Sequence, residues 1–207
     1  MKIVSIFLSI LLIACSPESN QIDDQTTTST IVLDYEKGLG SEPSDFVSNW
    51  NKIVEQVSSN NSTINFFSIN PDNVKWVNSK KETLLYQFDK QDGSVTGFTL
   101  NINVDTSTNK VYGIEFFSPA STDSLIAEQT KFFFLLLIAI SDPELSKDAR
   151  EKVLSNLGLY ENVENPRLMS SSLTKNNITY QIEPLVDNDL LIGLTLLIND
   201  NNFSIAN

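Results

Sequence analysis

The chain of 207 residues contains no histidine, and that absence removes more chemistry than any other feature of its composition. Without imidazole there is no Ser-His-Asp triad, and both the commonest general base and the commonest metal ligand are missing. Cysteine is nearly as scarce. The one thiol, Cys15, allows no intramolecular disulfide, so a hydrophobic core has to hold the fold. Arginine occurs only at 150 and 167, among 14 basic and 26 acidic side chains that leave a formal charge of −12. That balance lacks the basic face that phosphate backbones require, so nucleic acid is not an expected partner. It also opposes attraction to anionic lipid. A solvated, self-repelling surface accounts for the acidity, with a cationic partner as the specific alternative. The seven glycines form no phosphate-cradling loop. Paired acids of glycosidase type cannot be picked out, because a spatial separation defines them.

Long apolar runs are few. One, Phe132-Phe133-Phe134-Leu135-Leu136-Leu137-Ile138-Ala139-Ile140, is about half the roughly 20 residues a membrane span needs, which predicts a buried core helix. The other opens the chain. Lys2 is a short positive segment and Ile3 to Ile13 an apolar one, the parts of a secretory signal and too short for a stable transmembrane helix.

That run closes on Leu12-Ile13-Ala14-Cys15, which resembles the lipobox of bacterial lipoproteins. The resemblance covers residues 1–15 and implies a 1–14 signal peptide cut between Ala14 and Cys15. It also implies a diacylglyceryl group on the Cys15 thiol and up to three acyl chains in all. At about 0.8 kcal/mol per buried CH₂, two or three chains make a durable membrane anchor where one is marginal. Losing Lys2 with the leader makes the mature chain one unit more acidic still. Ser16 follows the cysteine, where Asp would imply inner-membrane retention. The class therefore implies the outer membrane in a Gram-negative source, or the outer face of the plasma membrane in a Gram-positive one.

Residues 15–40 read as a lipid-anchored tether, with Asp23-Asp24-Gln25-Thr26-Thr27-Thr28-Ser29-Thr30 offering nothing to bury. Its flexible reach is about 25–30 Å. Ile31-Val32-Leu33 is a candidate edge strand. The remainder, 41–207, is long enough for one domain with a sizeable core.

Within that domain Phe46, Trp50, Ile53, Val54 and Val57 form the apolar stripe of a helix that begins near Ser41 or Ser44, with Pro43 in its first turn. Alternation at Leu84, Tyr86 and Phe88, then Phe98 to Val104, then Tyr112 to Phe116, predicts an antiparallel meander. Its turns fall at Asp92-Gly93 and Thr106-Ser107-Thr108-Asn109. Residues 123–157 read as helical, with Asp142-Pro143-Glu144 as the start of a second helix and Gly158 as its stop. Strands resume at 178–182 and 190–198, and a last one is expected through Phe203 and Ile205.

Two segments echo each other. Tyr86-Gln87-Phe88-Asp89 precedes Gly97-Phe98-Thr99-Leu100, and Tyr180-Gln181-Ile182-Glu183 precedes Gly193-Leu194-Thr195-Leu196. Each echo follows a helical region and an Asn-Pro pair, at 70–71 and 165–166. The expectation is an α+β fold of helices on an antiparallel sheet, in two tandem helix-plus-strands repeats, 41–120 and 121–207, with Tyr86 matching Tyr180 and Gly97 matching Gly193. In layout this is similar to secreted β-lactamase inhibitor proteins and small envelope-assembly lipoproteins, an analogy of architecture alone.

Candidate chemistry is thin. Ser172-Leu173-Thr174-Lys175 fits the S-x-x-K of penicillin-recognising enzymes, but their Ser-Asp-Asn and Lys-Thr-Gly partners do not occur, and a polar loop is the expected setting. Asp187-Asn188-Asp189, and Asp105 with Ser107 and Asn109, could offer oxygens to a cation. Lys110 stands where a calcium loop needs Gly, and Glu115 falls one residue early, so both read as hairpin turns. No catalytic residue, metal ligand or cofactor is assigned; the site residues are Ala14 and Cys15. The expected role is a non-catalytic interaction or assembly module in the cell envelope, with membrane contact through its acyl chains and a protein partner. A second reading is a small-ligand protein with a cavity lined by Trp50, Trp76, Phe132, Phe133 and Phe134. A third is a hydrolase using carboxylates or serine with lysine.

Overall fold

Apolar residues at helical spacing and apolar residues at every second position both face one seam, and that seam is the core. The computed structural model describes residues 39–60, 67–77, 82–89, 95–159 and 171–203. Ala14, Cys15, Ile31-Val32-Leu33, the Asp92-Gly93 turn, Asn165-Pro166 and Ile205 lie outside those residues.

The described elements are α1 (Pro43–Asn60), a 3₁₀ turn (Pro71–Asn73), β1 (Lys75–Trp76), β2 (Thr83–Asp89), β3 (Val95–Asp105) and β4 (Lys110–Pro119). Then follow α2 (Ser124–Ser141), α3 (Lys147–Asn156), β5 (Ser171–Lys175), β6 (Ile178–Asp187) and β7 (Leu190–Asp200). The seven strands make one antiparallel sheet in the order β1-β2-β3-β4-β7-β6-β5. The protein has an α+β fold, with the helices on one face of this sheet.

Three predicted stripes are buried: Phe46, Trp50, Ile53, Val54 and Val57 of α1, Leu84, Tyr86 and Phe88 of β2, and Phe98, Leu100, Ile102 and Val104 of β3. In β4 Ile114 and Phe116 are buried and Tyr112 is half-buried, and in β7 burial begins only after Leu190 and Ile192. Trp50 stacks on Phe133 at 5.5 Å and on Phe88 at 5.6 Å, and its indole N–H donates to the Phe67 carbonyl at 2.9 Å. Fully burying a side chain of this size stabilises by about 1.5–3 kcal/mol. Of the five aromatics expected around a cavity, three fill the core and Phe132 is half-buried against it. Trp50, Phe133 and Phe134 are wholly buried, and Trp76 stands exposed on β1, away from any such cavity. Helix α2 is long and apolar enough to cross a membrane, and most of it is packed inside the protein.

Four local expectations are corrected. Asp142 ends α2 as its C-cap, and α3 starts at Lys147 because the Ser146 hydroxyl accepts from the Ala149 N–H. Ser172-Leu173-Thr174-Lys175 lies in strand β5. Phe203 follows a turn after β7, stacked on Tyr112 at 6.0 Å.

The fourth correction concerns the echo. β3 and β7 both run antiparallel to β4, so they run parallel to each other. β2 lies outside β3, and β6 lies outside β7 on the opposite side of the sheet, while both hairpins turn the same face to the core. The hairpins β2–β3 and β6–β7 are thus mirror-related, and no rotation matches Tyr86 to Tyr180. Gly97 also has φ +84 while Gly193 has no positive φ.

Another correspondence is geometrically open. An axis perpendicular to the sheet between β4 and β7, through the Phe116↔Leu196 pair, exchanges β4 with β7 and β3 with β6. It sets Gly113 on Gly193 and Phe98 on Tyr180. The pairing of β3 with β4 shifts at Tyr112, between Asn103↔Gly113 and Val104↔Val111. The pairing of β6 with β7 shifts at Ile192, between Leu185↔Gly193 and Val186↔Leu191. One bulge stands immediately before one glycine in each half.

Candidate functional site

The end of β6–β7 leaves the sheet. These strands pair out to Asp187↔Leu190, whereas β5 stops at Ile182 and β4 at Gly193. Among the described residues what remains is a two-stranded ribbon closed by Asn188 and Asp189, with φ of 46 and 63, the pattern of a type I′ turn. Consecutive strand residues point to opposite faces, and beyond the sheet neither face meets the core. Leu185, Val186, Leu190 and Ile192 are accordingly exposed, Leu190 by 63%. The ribbon supplies most of the large exposed apolar side chains of the described residues. An exposed apolar cluster of this kind is the informative departure from normal burial, where scattered single residues are not.

Beneath the ribbon lies a half-open pocket of about 340 Å³. Its walls are Pro119 at the end of β4 and Ala120 after it, Ile126 and Ala127 of α2, Leu159 after α3, and Leu191 and Leu194 of β7. The Ala120 N–H donates to the Ile192 carbonyl at 2.7 Å and ties the ribbon to this wall. Polar groups in the lining include Ser118, Thr130 and Lys131. The Ser118 and Thr130 hydroxyls bond each other at 2.5 Å, and Thr130 also donates to the Ile126 carbonyl at 2.8 Å. Thr130 spends its proton on Ile126, so Ser118 donates to Thr130. With that proton committed and no base against it, this serine is not set up as a nucleophile.

The ribbon carries Glu183, Asp187 and Asp189, while Lys131 is in the pocket lining. Asp123 caps the start of α2, its carboxylate accepting from the Leu125 N–H at 2.9 Å. Pro184, just past the last described pairing with β5, has no N–H to offer to a neighbouring strand.

The residues singled out from sequence fall elsewhere or do other work. Ser172 and Lys175 of β5 point to opposite faces, as an odd spacing in a strand requires, so they cannot act as a pair. Asp105 closes the β3–β4 turn, accepting from the Ser107 N–H at 2.9 Å, the Ser107 hydroxyl at 2.8 Å and the Thr108 hydroxyl at 2.8 Å. Those bonds hold its carboxyl below the usual range. Asp187-Asn188-Asp189 is the hairpin turn. Among the described residues no group of His, Cys, Asp or Glu could hold a metal.

One buried polar cluster was not anticipated. Asp142, Arg150 and Tyr180 are all buried where α2, α3 and β6 meet, and Asn176 donates to the Asp142 carboxylate at 2.9 Å. Burial, and then the Asp142 charge, push the Tyr180 hydroxyl up, with Arg150 opposing. Burial alone pushes Tyr86 up to about 12. The cluster fixes α3 against the second half of the sheet. The ribbon was missed because Leu190 to Ile198 reads as one buried strand, and only the partners' lengths reveal where burial ends. No protein-family model, no curated protein and no solved structure matches this chain.

Proposed function

We propose that this protein is a lipid-anchored module of the bacterial envelope that binds another protein and performs no catalysis. The lipobox Leu12-Ile13-Ala14-Cys15 supports the anchor, and the lack of histidine and of a second thiol supports the absence of catalysis. The observation that carries the binding reading is the ribbon, where Leu185, Val186, Leu190 and Ile192 are exposed on a domain whose core is otherwise filled. The reading includes its origin: residues 41–120 and 121–207 are copies of one helix-plus-strands unit, with Gly113 answering Gly193. A second reading, small-ligand binding, draws on the pocket beneath the ribbon. The hydrolase reading draws on nothing beyond its sequence motifs.

The test is maturation and crosslinking in the native cell. Cys15→Ala is expected to abolish acylation and processing, and normal maturation of that variant would remove the anchor. Amine-reactive crosslinking of the wild type is expected to give a recurring protein adduct. A co-purifying small molecule with no protein adduct would transfer the assignment to ligand binding.

A further inference from the structure

The acidic, apolar ribbon projects with a pocket at its base, and we propose that the two together dock a protein with an apolar anchor side chain set among lysines and arginines. The proposal rests on the interaction-module reading and specifies where the partner sits and what it presents. Two observations define the shape. The ribbon projects past the sheet with exposed apolar side chains on both faces, Val186 on the pocket's side and Leu185 and Leu190 on the reverse, able to enter a cleft. The pocket of about 340 Å³ is concave and mostly apolar, able to receive a side chain in return. Such exchange of anchors and pockets is the usual centre of a protein interface.

Charge chooses the occupant. Asp187 and Asp189 flank the ribbon's tip and Glu183 its base, and Asp123 caps the start of α2. A second copy of this chain would bring the same acids together, which disfavours an isologous pair. An anionic bilayer repels them as well. Pro184 has no N–H for strand pairing, which favours recognition through side chains. A basic rim around an apolar anchor satisfies the whole surface and speeds encounter as well as fixing register.

The experiment places p-benzoylphenylalanine singly at Val186, Leu190, Thr174 and Glu151 in the full lipidated chain, in its own cells, with photocrosslinking and peptide mapping. The expected result is an adduct from 186 and 190 but not from 174 or 151. Its partner-side attachment should map to an apolar residue flanked by Lys or Arg. Asp187→Lys with Asp189→Lys should lower the yield at least tenfold, as should Leu185→Ser with Ile192→Ser, while each variant melts within a few degrees of wild type. Adducts from 174 or 151 alone would overturn this surface and leave the module reading standing. Lipid-only adducts, self-adducts, or a partner attachment in an acidic or uncharged surface would also overturn it. Absence of protein adducts at every position would overturn the module reading itself.

Discussion

In hairpin β3–β4 the bulge at Tyr112 precedes Gly113, and in hairpin β6–β7 the bulge at Ile192 precedes Gly193, yet the two hairpins end in opposite ways. The first is closed. Its turn is Thr106-Ser107-Thr108-Asn109, and Val111 exchanges backbone bonds of 2.7 and 2.9 Å with Gly40 and Ser41 ahead of α1. Lys110 meets Glu42 at 3.5 Å, and Phe203 covers Tyr112. The second has a tighter turn and exposed apolar side chains, tied down at its base by Ala120. A bulge increases local twist and swings a hairpin tip away from the sheet. In the first half the chain before α1 receives that tip, while in the second half the tip stands free of the sheet. One backbone device thus serves packing in one place and leaves a surface for recognition in the other.

The glycines are the sharpest way to break this comparison. A Cβ on Gly193 would collide with the Ser118 carbonyl oxygen and the Phe117 ring, so backbone has to move. On Gly113 the obstacles are side-chain ends, Asn199 Oδ1 at 2.7 Å and Asn103 Nδ2 at 3.2 Å, which can rotate away. Gly193→Ala is expected to cost about 3 kcal/mol or more, and Gly113→Ala about 1 kcal/mol. Urea unfolding of the protein measures both. Equal losses would mean that the two bulges do not differ as described.

The next pair tests packing against exposure. Val111 is fully buried beneath the chain ahead of α1, while Leu190 is mostly in solvent. Val111→Ala should destabilise by about 2 kcal/mol through lost burial and a residual cavity. Leu190→Ala should stay within about 0.5 kcal/mol. A large loss at Leu190 would show that the ribbon is structural, removing the ground for treating it as a docking element.

How much of this could be read from the residues depends on the range of the interaction involved. The α1 stripe from Phe46 to Val57 and the β3 alternation from Phe98 to Val104 were legible because period alone states which face is buried. Gly158 was legible as a helix stop, and it has φ +83 with its N–H bonded to the Ser155 carbonyl. The start of α3 was not, because Asp142 and Ser146 are both good caps, and Asn176 and the buried Tyr180 take Asp142 for another role. β5 was missed for want of apolar residues: Leu173 alone in Ser171–Lys175 gives no period to detect. The echo failed for a deeper reason. Period-two strands resemble one another at any even shift, and only the sheet order shows which match a rotation permits. The candidate site was the least legible part, because its exposure comes from where β4 and β5 stop.

The smallest expected effect separates the turns themselves. Asp105 owes its lowered pKa to hydrogen bonds from Thr108 and Ser107. A depressed folded-state pKa means that the unfolded chain takes up the proton first. The stabilisation is therefore complete above the ordinary aspartate pKa of about 3.9 and fades as pH falls through the folded value. Asp105→Asn should flatten the acid limb of a melting-temperature profile between about pH 5 and 2, with a modest loss of stability at neutral pH. Asp187→Asn is the matched control on the ribbon, where the type I′ turn depends on the backbone of Asn188 and Asp189, and it should leave neutral-pH stability unchanged. If both substitutions act alike, the closed hairpin does not depend on its aspartate, and the contrast between the two turns reduces to loop length.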